Sequence, residues 1–271
     1  MKTLKQHIKE HMYMGGQVGA ATSNAVEDGA INPANIQDLL DFGIIGWELS
    51  RYSGLWVSMK CITATIDSSA SIYIDQNRIQ FETPEFEIPD EGCNIRYPDE
   101  VLAQETRLTN IKIPAAIEFA KKNNLNNIVW GKGKKNIGLI ATGKAYTDLR
   151  QSLEDLNINT KKAEDLGIHL LKIGMSWPLE PSILETFASG MDEIVVIEEK
   201  RSFVESQARD ILYNINQKPK RIVGKYDEKN AKLFRQDKDL KVDEITAILA
   251  QRIKNNFLTF FNFLYLLVGY V

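Results

Sequence analysis

Apolar positions along the chain follow two different rhythms, and the change falls near Gly131. Before it the spacing is mostly helical. Ile36, Leu39, Leu40, Ile44 and Ile45 recur every three to four residues, which sets them on one helix face. Asn32 suits the N-cap of that helix and Pro33 its first turn. Residues 58–65 are β-branched and apolar and predict a strand or buried segment. Residues 72–74 and 78–81 alternate as strands do. Pro84, Pro89 and Pro98 then punctuate an extended surface stretch, and residues 102–123 return to helical spacing with Pro114 as a kink or restart.

After Gly131 short apolar runs alternate with helices. The runs 137–141, 168–173, 193–197 and 221–224 read as strands, and 144–156, 178–189 and 202–214 as the helices between them. Strands and helices alternating at this spacing predict a mainly parallel sheet with helices on both faces, an α/β fold. The two ends are less regular. A helical stretch to about Met14 leads into Gly15, Gly16 and Gly19 and a polar run to Ala30. No clean apolar helix follows those glycines, so a plain loop explains them better than a phosphate loop. From Phe257 to Val271 the chain is almost wholly apolar, shorter than the roughly twenty residues that span a bilayer as a helix. A buried terminal helix, a membrane tail anchor and a segment foreign to the fold all fit that run. The abrupt change of composition at Asn255 and Asn256 favours the third.

Composition narrows the class. A net charge of −3 and scattered Lys and Arg give no basic face for nucleic acid; Lys132, Lys134 and Lys135 sit in a Gly-containing loop. Cys61 and Cys93 are the two cysteines, too few for a disulfide framework or a four-thiolate cluster. His7 and His11 could share a helix face but lack a third ligand nearby. The first residues lack the apolar core of a signal peptide, so the plain reading is a reduced, cytoplasmic protein.

Candidate chemistry belongs where open α/β sheets hold ligands, beyond the carboxyl ends of the strands. Those positions are Thr142, Gly143 and Lys144, then Gly174 to Pro178, then Glu198, Glu199, Lys200 and Arg201. Glu198 and Glu199 could be acid–base partners, but adjacent residues on extended chain point to opposite faces, with Lys200 and Arg201 beside them. A structural ion pair is the better account. Trp177-Pro178 reads as an apolar packing corner. No Ser–His–Asp set, Walker loop or dinucleotide fingerprint is present.

Several motifs in order resemble one family. Ile137-Gly-Leu-Ile-Ala-Thr-Gly-Lys-Ala-Tyr146, Lys172-Ile-Gly-Met-Ser-Trp-Pro-Leu-Glu-Pro181, Val195-Val-Ile-Glu-Glu-Lys-Arg201 and Ile222-Val-Gly-Lys-Tyr-Asp-Glu228 are similar to the middle domain of indolepyruvate:ferredoxin oxidoreductases. Asn32-Pro-Ala-Asn-Ile-Gln-Asp38, Gly46-Trp-Glu-Leu-Ser-Arg-Tyr-Ser-Gly-Leu-Trp56, Asp67-Ser-Ser-Ala-Ser71 and Asn94-Ile-Arg-Tyr-Pro-Asp99 resemble the stretch that precedes it in the large fused form. The resemblance implies residues 1–131 as a partial thiamine pyrimidine-binding-type domain with 1–30 unmatched. It implies 135–254 as a transketolase C-terminal-like three-layer domain and 255–271 as an aberrant apolar tail.

Family members use thiamine diphosphate, Mg, [4Fe-4S] clusters and coenzyme A to turn aryl-pyruvates into acyl-CoA, with electrons passed to ferredoxin. The Gly-Asp-Gly diphosphate motif and the cluster cysteines are missing here, and Glu27-Asp-Gly-Ala30 is no substitute. The resemblance therefore assigns no catalytic residue, no metal ligand and no known cofactor-binding residue. It implies a piece of the enzyme that is inactive alone, binds no cofactor by itself, and works with the remaining parts and ferredoxin in an oligomer. A non-catalytic assembly module, with or without a membrane tether at its tail, is the second reading. A domain of some other thiamine enzyme is a third, and it leaves the first-half motifs unexplained.

Overall fold

A computed structural model describes residues 28–94 and 96–268. His7, His11 and the glycines 15, 16 and 19 lie outside the described residues.

The second half folds as its periodicity predicts. Strands β3 (Asn126–Trp130), β4 (Ile137–Thr142), β5 (Ile168–Ile173), β7 (Glu193–Ile197) and β8 (Arg221–Val223) form one sheet in the order β3-β5-β4-β7-β8. All neighbours are parallel except β3, which runs antiparallel to β5. Helices α5 (Lys144–Asp155), α6 (Thr160–Leu166) and α9 (Val242–Val268) cover one face, and α7 (Pro181–Ala188) and α8 (Val204–Leu212) the other.

The alternation along β4 shows why three layers form. Ile137, Leu139 and Ala141 join Leu149, Leu153 and Leu249 in one core, while Ile140 joins Leu184, Phe187 and Val204 in the other. Gly138 must stay bare, because a Cβ there would stand 2.6 Å from Ile194 and 2.8 Å from Phe187. Burying each large side chain fully is worth about 1.5–3 kcal/mol, so these two cores dominate the stability of this half.

The first half departs further from expectation. Its sheet has the order β2-β1-β6, with β1 (Asp28–Ile31) parallel to β2 (Trp56–Met59) and antiparallel to β6 (Met175–Trp177). Helices α1 (Ile36–Ser53) and α4 (Ile113–Lys122) pack on it through Phe42, Leu49, Ala116 and Phe119. Asn35, not Asn32, caps α1, accepting from the Asp38 amide at 2.8 Å. Pro33 lies outside the helix. The predicted strand over 58–65 is β2 followed by the single-turn α2 (Thr63–Ile66).

Residues 72–74 and 78–81 form no strand. They belong to an irregular arm clasped by side chains. The Gln37 amide bonds the Tyr73 backbone at 2.8 and 3.3 Å, Arg78 pairs with Asp41 at 2.9 Å, and Asn123 brackets Glu82. The expected restart at Pro114 is present. After α3 (Val101–Arg107) a π-helical turn, Leu108–Lys112, widens the spiral, and α4 begins at Ile113 with Pro114 in its first turn.

The two sheets trade strands. β3 follows the first-half helices yet edges the second sheet, and β6 leaves β5 at Gly174 to edge the first. Asn126 secures that departure, its Oδ1 accepting from the Gly174 and Met175 amides at 3.0 Å each. Helix α9 runs unbroken through Asn255 and Asn256 to Val268. No helix of the described residues is long and apolar enough to cross a membrane.

Candidate functional site

The topological switch of the five-stranded sheet lies between β4 and β7. From β4 the chain moves to β5 on one side, then crosses back to β7 on the other. Loops on this pair diverge to opposite faces and leave a crevice at their carboxyl ends, the usual ligand seat of a doubly wound sheet. Of the expected residues, Thr142 to Lys144 at the end of β4 and Glu198 and Glu199 after β7 meet there, whereas Met175 to Trp177 leave in β6 for the other sheet.

The crevice at β4 is filled by the chain itself. Asn32, at the end of β1, donates from Nδ2 to Thr142 Oγ1 at 3.2 Å, and Thr142 donates to the Ile173 carbonyl at 2.9 Å. The Asn32 amide donates to the Gly174 carbonyl at 2.8 Å. Gly143 lies at φ 56° and leaves no room for a side chain: its Cβ would stand 2.3 Å from Asn32 Oδ1. Nearby, Lys172 pairs with Asp38 at 2.6 Å across the junction and lies 5.2 Å from the Tyr146 ring. The carboxyl edge of the second sheet therefore serves as a socket for the first.

Glu198 and Glu199 do point opposite ways. The Glu198 carboxylate is buried and caps α8, accepting from the amides of Phe203 and Glu205 at 3.0 Å each and of Val204 at 2.8 Å. Burial pushes its carboxyl above the ordinary range, and those three amides with Lys225 act against the shift. Glu199 faces the first turn of α5, where Lys144 pairs with Asp148. Beneath them the buried Lys225 donates from Nζ to the Glu198 carbonyl, and its amide donates to Glu205 at 2.9 Å. Burial pulls the Lys225 ammonium below the usual lysine range, against the attraction of Glu198 and Glu205.

The Glu198 carboxylate is thus committed to capping α8, while Glu199 Oε1 is buried without a hydrogen-bond partner among the described residues. Substituting Glu198 by Gln should cost about 1–3 kcal/mol, because the side-chain amide group would then face an amide donor that lost its acceptor. Urea unfolding monitored by circular dichroism reads this directly, as a lower midpoint at unchanged slope.

Trp177 packs at 6.3 Å from the Phe203 ring, the apolar corner expected of it. Sequence reasoning missed Asn32 as a socket residue, having placed it as a helix cap, and did not single out Lys225 although it lies inside a quoted motif. Among the described residues no three His, Cys, Asp or Glu side chains gather as a metal would require, and Cys61 is exposed while Cys93 is buried. This donor set does not fit a four-thiolate cluster or a diphosphate–magnesium site, and no chemical step is derived through either.

Comparison with known proteins agrees with this architecture. The family model described as the indolepyruvate oxidoreductase domain matches residues 127–259. Residues 127–259 are thus similar to that domain. The chain is 27% identical over 186 residues to indolepyruvate oxidoreductase subunit IorA of Archaeoglobus fulgidus, covering 66% of this chain and 27% of that subunit. It is 23% identical over 177 residues to the same subunit of Methanothermobacter thermautotrophicus, covering 65% and 27%. The chain thus spans about a quarter of the length of these curated relatives. Among solved structures, the 2-oxoglutarate:ferredoxin oxidoreductase of Magnetococcus marinus matches 83% of this chain and 42% of its own, with a TM-score of 0.50 and 12% identity. That match concerns the fold. The matched region begins at the second residue of β3, Asn126–Trp130.

Proposed function

We propose that the chain is an organising part of an indolepyruvate:ferredoxin oxidoreductase, serving oxidative decarboxylation of aryl-pyruvates to acyl-CoA with electrons delivered to ferredoxin. The observation that carries this reading is the occupied crevice: Asn32 against Gly143, and Glu198 committed to capping α8, turn the usual ligand edge into a docking edge. On this reading residues 1–131 act as part of a thiamine pyrimidine-binding-type domain and 135–254 as the transketolase C-terminal-like domain. Thiamine diphosphate, magnesium, iron–sulfur clusters and coenzyme A are held by the remaining parts of a cytoplasmic, oligomeric enzyme.

The test is an assay with and without those parts. The purified chain alone, given an aryl-pyruvate, thiamine diphosphate, coenzyme A and a viologen dye, should reduce no dye. Co-expressed with the remaining polypeptide of the oxidoreductase it should co-purify and support reduction. Dye reduction by the chain alone would overturn the inactivity, and failure to co-purify would overturn the partnership.

A further inference from the structure

Helix α1 buries one face, with Phe42, Gly46, Leu49 and Ser53 turned to the core. On the opposite face Leu40, Ile44 and Trp47 are 40%, 42% and 60% exposed. Their steps of four and then three residues are those of a helix-on-helix seam. Gly43 lies beside them, exposed, and a Cβ there would meet only Met59 Cε at 4.0 Å, so the seam has a hollow that a neighbour can enter. At its N-terminal end Gln37 bonds the Tyr73 backbone at 2.8 and 3.3 Å, which brings the exposed Tyr73 and Ile74 there. Exposed apolar residues are ordinary when scattered, but a row of them with a tryptophan marks an interaction surface.

Charge narrows what can cover this face. Asp41 and Glu48, seven residues apart, form one rim of the seam. Asp41 pairs with Arg78 at 2.9 Å, and Glu48 has no cation partner among the described residues. A second copy laid antiparallel would set this acidic rim against itself, and one laid parallel would offer Glu48 only Ile36, Gly43 and Ser50. Only a register that leaves Leu40 and Ile44 uncovered brings the other copy's Arg51 to Glu48. The cover is therefore a different surface with a cation of its own. This chain spans about a quarter of the length of its curated relatives, and the rest of such a protein can supply that surface.

Taking the chain as part of the oxidoreductase, we propose that the outer face of α1 is the seat of the remaining polypeptide, which lays an apolar helix along Leu40, Ile44 and Trp47 and sets a basic residue against Glu48. Trp47 is the anchor, since a few large aromatic side chains carry most of the energy of such interfaces. Glu48 contributes selectivity, because a partner with an acid at that position meets repulsion.

Calorimetric titration of the whole chain with the separately purified remaining polypeptide tests this. The wild type should bind. Trp47→Glu should weaken binding tenfold or more and Glu48→Lys several-fold. Tyr213→Glu, at an exposed aromatic just beyond α8, should bind as the wild type does. All three variants should keep the wild-type thermal midpoint, and light scattering of the wild type alone should give the mass of one chain. If the wild type does not bind, the reading of the chain as part of the enzyme fails, and the face with it. Binding that Trp47→Glu or Glu48→Lys retains, or that Tyr213→Glu loses equally, overturns the face alone. A wild-type dimer that Trp47→Glu splits would give the face to a second copy. A midpoint lowered by several degrees in Trp47→Glu would give it to a segment of the chain itself, and either result overturns the docking.

Discussion

Replacing Arg252 by Met is expected to lower the unfolding free energy by about 3–5 kcal/mol, read as an earlier urea midpoint at unchanged slope. Its partner is Glu193, the first residue of β7, whose side chain is 0% exposed. Glu193 Oε1 accepts from Arg252 at 2.5 and 2.6 Å, and Oε2 from Arg221 and Asn256 at 2.9 Å each. The other arm of the Arg252 guanidinium bonds Glu228 at 2.8 Å. Removing Arg252 leaves a carboxylate without its most buried cation, in a place water cannot reach.

The pair itself is a different matter. Exchanging both residues for apolar ones of similar volume is often neutral, since two desolvation costs vanish with the attraction. The double variant Arg252→Met with Glu193→Leu should therefore recover much of the loss. The cycle isolates the coupling between β7 and α9. Loss of the same size in single and double variants would mean that Arg252 acts through the packing of its stem alone.

This network explains part of what sequence could and could not tell. Strands β4, β5 and β7 were legible because each is buried on both faces and so reads as a mainly apolar run, broken in β5 by His169 and Lys172. Strand β1 was not. Its residues, Asp-Gly-Ala-Ile, are too few and too small for a period, and it becomes a strand through pairing with β2 and β6 on either side. The runs 72–74 and 78–81 alternate correctly yet find no partner strand, because Gln37 and Asp41 of α1 and Asn123 at the end of α4 hold the arm by side-chain bonds instead. Alternation states which side chains face one way; pairing is a tertiary fact.

The candidate site was legible in place but not in content. The rule of carboxyl ends led to Thr142, Gly143, Glu198 and Glu199, and these do surround the crevice. What fills it, Asn32, is 110 residues away from Thr142 in the chain. A single Asn before a Pro looks like a helix cap, and only the crossing of β1 over the sheet end gives it another use. Helix α9 offers the opposite lesson. A sharp change of composition at Asn255 leaves its backbone helical through Val268, and Arg252 and Asn256 bond Glu193 just where the change occurs.

Gly143 is where backbone and docking meet, and Gly143→Ala should cost about 2–4 kcal/mol in two separable parts. One is local: φ 56° with ψ −140° is a conformation L residues rarely hold, worth about 1–3 kcal/mol. The other is the collision of the new methyl with Asn32, whose three side-chain head atoms all lie within 2.3–2.6 Å of the Cβ position. Asn32 cannot move aside cheaply, since retreat breaks its bond to Thr142 Oγ1 and strains its backbone bond to Gly174.

Asn32→Gly in the Gly143→Ala background removes the collision and leaves the backbone cost, so the double variant should regain the second part only. If the two changes are additive, Asn32 and Gly143 do not press on each other and the socket is looser than its geometry indicates. If they couple by about 1 kcal/mol or more, the fit of β1 into the end of β4 is a joint of the molecule. That joint then decides the use of the edge. Helix α5 starts at Lys144 with no side-chain cap, and the Asn32 head group packs against Gly143 at its N-terminus.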